Sequence, residues 1–181
     1  KNIRQVVPYV PGEQPKEANV IKLNTNENPY PPSPKVKEQC AKLCAKNEEL
    51  RLYPDPTAGM LVEAIAKYKG LDSNQVFVGV GSDDVLAMAF LTFFNSEKPI
   101  FFPDITYSFY DVWADLFKIP YDKKSLDENF MIKKDDYYWK NGGVVFPNPN
   151  APTGVLMPLD EIEDIIAHNQ DVIVIVDEAY V

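Results

Sequence analysis

Hydrophobic positions fall into two textures along the chain. Up to about residue 57 they are sparse and broken by proline, with nine of the 16 prolines lying in this stretch. One helix is predicted there. Ser33-Pro34 reads as an N-cap followed by proline at the first helical position, and Val36, Cys40, Leu43 and Cys44 recur at helical spacing. A second helix is predicted from Ala58 to Lys69, with Leu61, Ile65 and Tyr68 on its apolar face and Gly70 as its stop. From residue 76 strand-like and helix-like runs alternate. Val76–Val80, Pro99–Phe102, Val144–Phe146 and Val172–Val176 are short β-branched or aromatic runs. Between them, Ser82 is expected to cap a helix to about Phe94, Thr106 a helix to about Phe117, and Pro158–Ala167 to form a third.

A strand apolar at every position, as Val172–Val176 is, belongs to a parallel sheet covered on both faces. Alternating β and α units then predict an α/β fold in which a mostly parallel sheet lies between helices. The expected organisation is an extended, Pro-rich N-terminal arm with the first helix over 1–57, followed by the layered domain over 58–181. Val181 comes five residues after a strand expected to be central, so the domain is expected to be incomplete.

Composition narrows the function. Hydrophobic residues make up 45% and charged residues 25% of 181 residues, as in ordinary globular proteins. A formal charge of −9 gives no general attraction to nucleic acid or anionic membranes. The apolar run Val85–Phe94 is far shorter than the ~20 residues that span a bilayer. Cys40 and Cys44 are expected to be small buried groups on one helix face, with no His or Cys nearby to build a metal site. Reduced cysteines suit a cytoplasmic protein. The single histidine, His168, is expected to be a solvated residue near a helix end.

Ligands of open α/β sheets bind at the carboxyl ends of the strands, and four such ends carry candidate chemistry. Gly79-Val-Gly81-Ser82-Asp83-Asp84 leads from a predicted strand into a helix, where backbone amides can cradle a phosphate. A tight turn with a serine cap reads equally well there. The run lacks the third glycine of a dinucleotide fingerprint, although Asp104 stands where a ribose-binding acid would. Tyr107 follows the second run, and Pro147–Gly154 follows the third as a stiff turn with three prolines and two asparagines. Asp177 follows the fourth. An acid placed directly after an apolar strand needs donors or a cationic partner, and a protonated pyridine nitrogen is one such cation. A phosphate cradle, a flat aromatic, polar donors and a ring-nitrogen acid suit pyridoxal 5'-phosphate better than a nicotinamide dinucleotide.

In Leu23-Asn-Thr-Asn-Glu-Asn-Pro29, Arg51-Leu-Tyr-Pro-Asp55, Gly81-Ser-Asp-Asp84, Tyr107, Asn150-Ala-Pro-Thr-Gly154 and Asp177-Glu-Ala-Tyr180, the chain resembles the fold-type I, pyridoxal-phosphate-dependent aminotransferases. The first two stretches point to their histidinol-phosphate branch. The resemblance implies the N-terminal part of a three-layer transferase domain. It also implies a homodimer that moves an amino group between L-histidinol phosphate and the 2-oxoglutarate/glutamate pair, in histidine biosynthesis. Under it, Ser82 and Asp83 offer amides to the cofactor phosphate and Tyr107 stacks on the ring. Asp177 pairs with the ring nitrogen, Tyr180 meets the ring hydroxyl, and Tyr53 reaches the neighbouring subunit's cofactor. Tyr9, Asn26, Glu27 and Asn28 fall on the substrate side. The family usually has Asn directly before Pro-Thr-Gly; Ala151 stands there, and Asn150 is the candidate to replace it. The family's cofactor-binding lysine and substrate-reading arginines fall beyond Val181, so these 181 residues alone are expected to be inactive. An aromatic amino-acid aminotransferase and a pyridoxal-phosphate decarboxylase of phosphorylated amino acids share these motifs. A non-catalytic α/β binding module is the alternative from another class.

Overall fold

Runs of β-branched and aromatic residues become strands only where their backbone groups find a ladder partner, and that condition sorts the predicted runs. The structure, a computed structural model, describes residues 3–7, 12–17, 19–46 and 48–181. Its strands are β1 (Ile100–Pro103), β2 (Tyr121–Lys124), β3 (Val144–Pro147) and β4 (Val174–Asp177). They form one sheet in the order β2-β1-β3-β4, parallel throughout. The predicted strand at Val76–Val80 does not form: it has no partner strand among the described residues, and Phe77 and Val80 stay exposed. β2, by contrast, was not signalled by its Tyr-Asp-Lys-Lys sequence. It forms because β1 offers it an edge, with Ile100 opposite Tyr121 and Pro103 opposite Lys124.

The helices are α1 (Pro34–Ala45), α2 (Gly59–Lys69), α3 (Ser82–Phe93), α4 (Phe109–Phe117) and α5 (Leu159–His168). Two of the predicted caps shift. Ser82 is the first residue of α3, and Gly81 holds the N-cap position at φ +90°, a conformation that favours glycine. Thr106 lies ahead of α4, whose N-cap is Ser108, and its hydroxyl is used elsewhere.

Alternation along the strands divides the core. Ile100 and Phe102 of β1 and Val145 of β3 face α3 and α4, meeting Leu86, Phe90, Phe94, Tyr110 and Ala114. Phe101, Val144 and Phe146 face the other way, toward α5, meeting Ile132, Tyr137, Met157, Ile162 and Ile165. Fully burying a phenylalanine contributes about 1.5–3 kcal/mol, and Phe90, Phe94 and Phe102 are all at most 1% exposed. β4 is half-buried along its length and pairs with β3 on one side.

The described chain divides into two compact units, Val10–Val78 and Gly79–Val181 with Lys1–Tyr9. The second holds the sheet. In it Arg4 donates to the carbonyl of Leu116 at the end of α4. The first unit holds α1 and α2. Asp55 anchors the start of α2, accepting from the Thr57 amide (2.9 Å) and hydroxyl (2.7 Å) and from the Gly59 amide (2.7 Å). The Thr57 and Gly59 bonds hold its carboxyl below the usual carboxylate range. α2 buries Ala66 with Val62 and Ile65 half-buried, so its covered face is rotated from the predicted one and Tyr68 is exposed. No residue of α1 is buried. Cys40 and Cys44 are therefore exposed free thiols, against expectation, because no described element covers the apolar face they share. Among the described residues no helix is long and apolar enough to cross a membrane.

Candidate active site

Because the strands run parallel, their carboxyl ends share one edge of the sheet. Pro147 and Asp177 are register partners at that edge, and the Asn148 amide donates to the Asp177 carbonyl at 2.9 Å. Three polar side chains shape the loops above it. The Asp104 carboxylate accepts from the Ile105 (2.9 Å) and Leu126 (3.1 Å) amides, tying the end of β1 to the segment after β2. That engagement leaves Asp104 a loop anchor rather than the ribose-binding acid its spacing imitates. Asn148 exchanges two bonds with the Met157 backbone across the turn after β3. Asn150, only 2% exposed, donates to the Ile105 carbonyl (3.0 Å) and the Thr153 hydroxyl (3.1 Å) and accepts from the Thr106 hydroxyl (3.0 Å). It thus joins the turn after β3 to the loop after β1. These two asparagines add side-chain hydrogen bonds to the proline-rich turn Pro147–Gly154.

The predicted residues of this unit converge. Ser82 and Asp83 open α3, which no side chain caps, so its first-turn amides present donors toward an anion. The Asp83 carboxylate accepts from the Tyr107 hydroxyl at 2.7 Å. The Tyr107 ring meets Tyr110 edge-on at 5.7 Å. Tyr110, fully buried, donates its hydroxyl to Asp177 at 2.9 Å, and the Ala179 amide reaches the other carboxylate oxygen at 3.2 Å. Burial, then the charge and hydrogen bond of Asp177, push the Tyr110 phenol well above its usual range. Among the described residues no cation pairs with Asp177. Tyr180, at 53% exposure, follows on the surface.

Asn26, Glu27, Asn28 and Tyr53 lie in the other unit. Asn26 takes a left-handed turn conformation, Glu27 pairs with Lys22, and Asn28 accepts from the Tyr30 amide at 2.9 Å. The hydrogen bond from Lys22 holds the Glu27 carboxyl below its usual range. Tyr53 is fully exposed. Tyr9 lies outside the described residues.

Sequence reasoning passed over Tyr110 and Thr106. Tyr110 had a signal: three residues after Tyr107, it falls on the same helical face. Thr106 had none, since a threonine ahead of a helix reads as a cap. Two adjoining cavities of about 360 and 380 Å³ open at the opposite, amino-terminal edge of the sheet, sharing Lys98, Asn141, Gln170, Asp171 and Val172. They are remote from all of these residues.

The arrangement can hold an anion at the start of α3 and a protonated nitrogen at Asp177, with an aromatic ring between. The model of aminotransferase class I and II matches residues 18–181. The chain is 58% identical to histidinol-phosphate aminotransferase 1 of Methylococcus capsulatus and 54% identical to that of Hydrogenovibrio crunogenus, in each case over 99% of this chain and 50% of the relative. It spans about half the length of the curated relatives it matches. The crystal structure of the histidinol-phosphate aminotransferase from Clostridium acetobutylicum superposes with a TM-score of 0.66 at 22% identity, over 79% of this chain and 43% of that one, and shares the fold. With a matching model over most of its length and a parallel sheet whose polar end carries the expected residues, the chain belongs to the aminotransferase class I and II family.

Proposed function

We propose that the full-length protein transfers the amino group of L-histidinol phosphate to 2-oxoglutarate, with pyridoxal 5'-phosphate as cofactor, as a homodimer in the cytoplasm. The observation that carries the reading is Asp177: a carboxylate at the end of an apolar strand, with a donor on each oxygen and no cationic partner among the described residues. Such a group is suited to hold the proton of a pyridine nitrogen. The relatives named histidinol-phosphate aminotransferase support the choice of substrate.

The residues present fit the cofactor. The uncapped amides of Ser82 and Asp83 would hold its phosphate, helped by the helix dipole. Tyr107, kept in place by Asp83 and by Tyr110, would lie against the ring. Tyr180 would donate to the ring hydroxyl. Asn150, whose amide is taken up by Ile105 and Thr153, would act by holding the turn after β3 against the loop after β1. Tyr53, exposed two residues before the Asp55 anchor, would reach the phosphate in the neighbouring subunit. Asn26, Glu27 and Asn28, with Tyr9, would face the substrate. When bound, pyridoxal phosphate supplies the electron sink that makes loss of the α proton feasible. Asp177 serves that chemistry by keeping the ring nitrogen protonated.

The test is direct. Full-length protein incubated with pyridoxal phosphate, L-histidinol phosphate and 2-oxoglutarate should form glutamate, and Asp177→Asn should slow this by about a hundredfold or more. Glutamate formed only from a different amino donor would refute the substrate assignment. Turnover at the wild-type rate by Asp177→Asn would refute the role of that carboxylate.

A further inference from the structure

We infer that Tyr110 is a positioning residue for Asp177: its buried hydroxyl fixes the carboxylate as the counter-charge for the cofactor's ring nitrogen. The inference rests on the cofactor reading above and gives that site a residue to which neither the motifs nor the resemblance assigns a role.

Tyr110 is the fourth residue after Thr106 and the third after Tyr107, on the face of α4 turned to the sheet. Its ring is held on three sides, stacked with Phe90 (6.1 Å) and edge-on to Phe102 (6.0 Å) and Tyr107 (5.7 Å). A tyrosine with no exposed surface needs a partner for its hydroxyl, and the partner is Asp177 at 2.9 Å. The ring cannot swing away without opening the core, so the donor stays fixed. Burial beside a carboxylate keeps the phenol neutral across the working pH range, which makes it a constant donor. The bond holds the carboxylate in one orientation, as the counter-charge for a protonated ring nitrogen. The remaining donor, the Ala179 amide, is longer at 3.2 Å and comes from the exposed segment after β4. Without the hydroxyl, Asp177 would be freer to rotate away from that position.

Tyr110→Phe in the full-length protein removes only that oxygen. Three quantities should be measured: the dissociation constant of pyridoxal phosphate by equilibrium dialysis, the pH titration of the bound cofactor's absorbance, and urea unfolding of the cofactor-free protein. Binding should weaken about tenfold, and the ring nitrogen should lose its proton at lower pH, beyond what any change in unfolding explains. In an Asp177→Asn background the same substitution should change binding by less than about twofold, because its route of action is gone. Replacing Tyr110 by 3-fluorotyrosine, which keeps both ring and hydroxyl, should retain binding and titration close to wild type and tests the idea even if Tyr110→Phe folds poorly. Wild-type affinity and titration in Tyr110→Phe, or an equal loss in both backgrounds, would overturn the inference alone. Failure of the wild-type protein to bind pyridoxal phosphate, or undiminished binding by Asp177→Asn, would overturn the cofactor reading and this inference with it.

Discussion

Asn150→Ala should destabilise the protein by about 2–4 kcal/mol without touching its hydrophobic clusters. The side chain is 2% exposed and makes three hydrogen bonds, to Ile105, Thr153 and Thr106. A neutral bond is worth about 1 kcal/mol net, and more when a partner is left buried and unpaired. The Ile105 carbonyl and the Thr106 hydroxyl lose their partner together, and the Thr153 hydroxyl keeps only bonds within its own turn. Two companions partition the effect. Thr106→Val removes one of the three bonds and should cost about 1 kcal/mol. Asn150→Asp keeps the acceptor for Thr106 but turns a carboxylate toward the Ile105 carbonyl, and should be at least as harmful as alanine. Urea denaturation of the full-length protein, with and without pyridoxal phosphate, gives these differences directly. An Asn150→Ala protein within about 0.5 kcal/mol of wild type without cofactor would refute the assignment of Asn150 as the link between the two loops.

Other substitutions probe other parts. Gly143→Ala would drive a methyl into the ring of buried Phe94, on backbone at φ +147°; a loss of about 3 kcal/mol or more is expected in denaturant melts, and Phe94→Leu in the same chain should recover part of it. Tyr138 donates to Asp164 at 2.6 Å beside Lys134, and its phenol, burial first and the Asp164 bond second, is pushed up to about 12. Stability from the neutral phenol is therefore complete below its ordinary value of 10.0 and is lost as pH rises toward about 12. The stability advantage of wild type over Tyr138→Phe should shrink across that window. Asp55→Ala should loosen the first turn of α2, read as faster amide exchange at Thr57 and Gly59 with little change in the sheet.

What could be read beforehand followed from local chemistry. Pro34 and Gly70 marked helix ends, and the apolar runs around Phe101, Val145 and Ile175 located three strands. β2 was invisible because an edge strand of Tyr-Asp-Lys-Lys owes its conformation to β1 rather than to its own residues. Val76–Val80 misled for the converse reason, since a strand-like sequence without a neighbour stays unpaired. At the site, Asp177 and the start of α3 were legible because an acid or an amide cluster after an apolar run is unusual on its own. Asn150 lies in the turn its sequence marked, yet two of its partners, Ile105 and Thr106, are 45 and 44 positions away, which no local pattern encodes. Tyr110 went unread, and only the pairing of β3 with β4 brings Asp177 to its hydroxyl.

Each strand is only four residues long, or roughly 13 Å at the rise of a parallel strand. Lys98, Asn141 and Val172 therefore stand one thin slab away from Asp177, on the same rigid layer but facing opposite solvent. Trp139 is exposed at that far edge, so a fluorophore or a surface tether placed there would ride with the chemistry without crowding it. The shortness of the sheet makes its back a natural place to hold the protein while its polar front is left open.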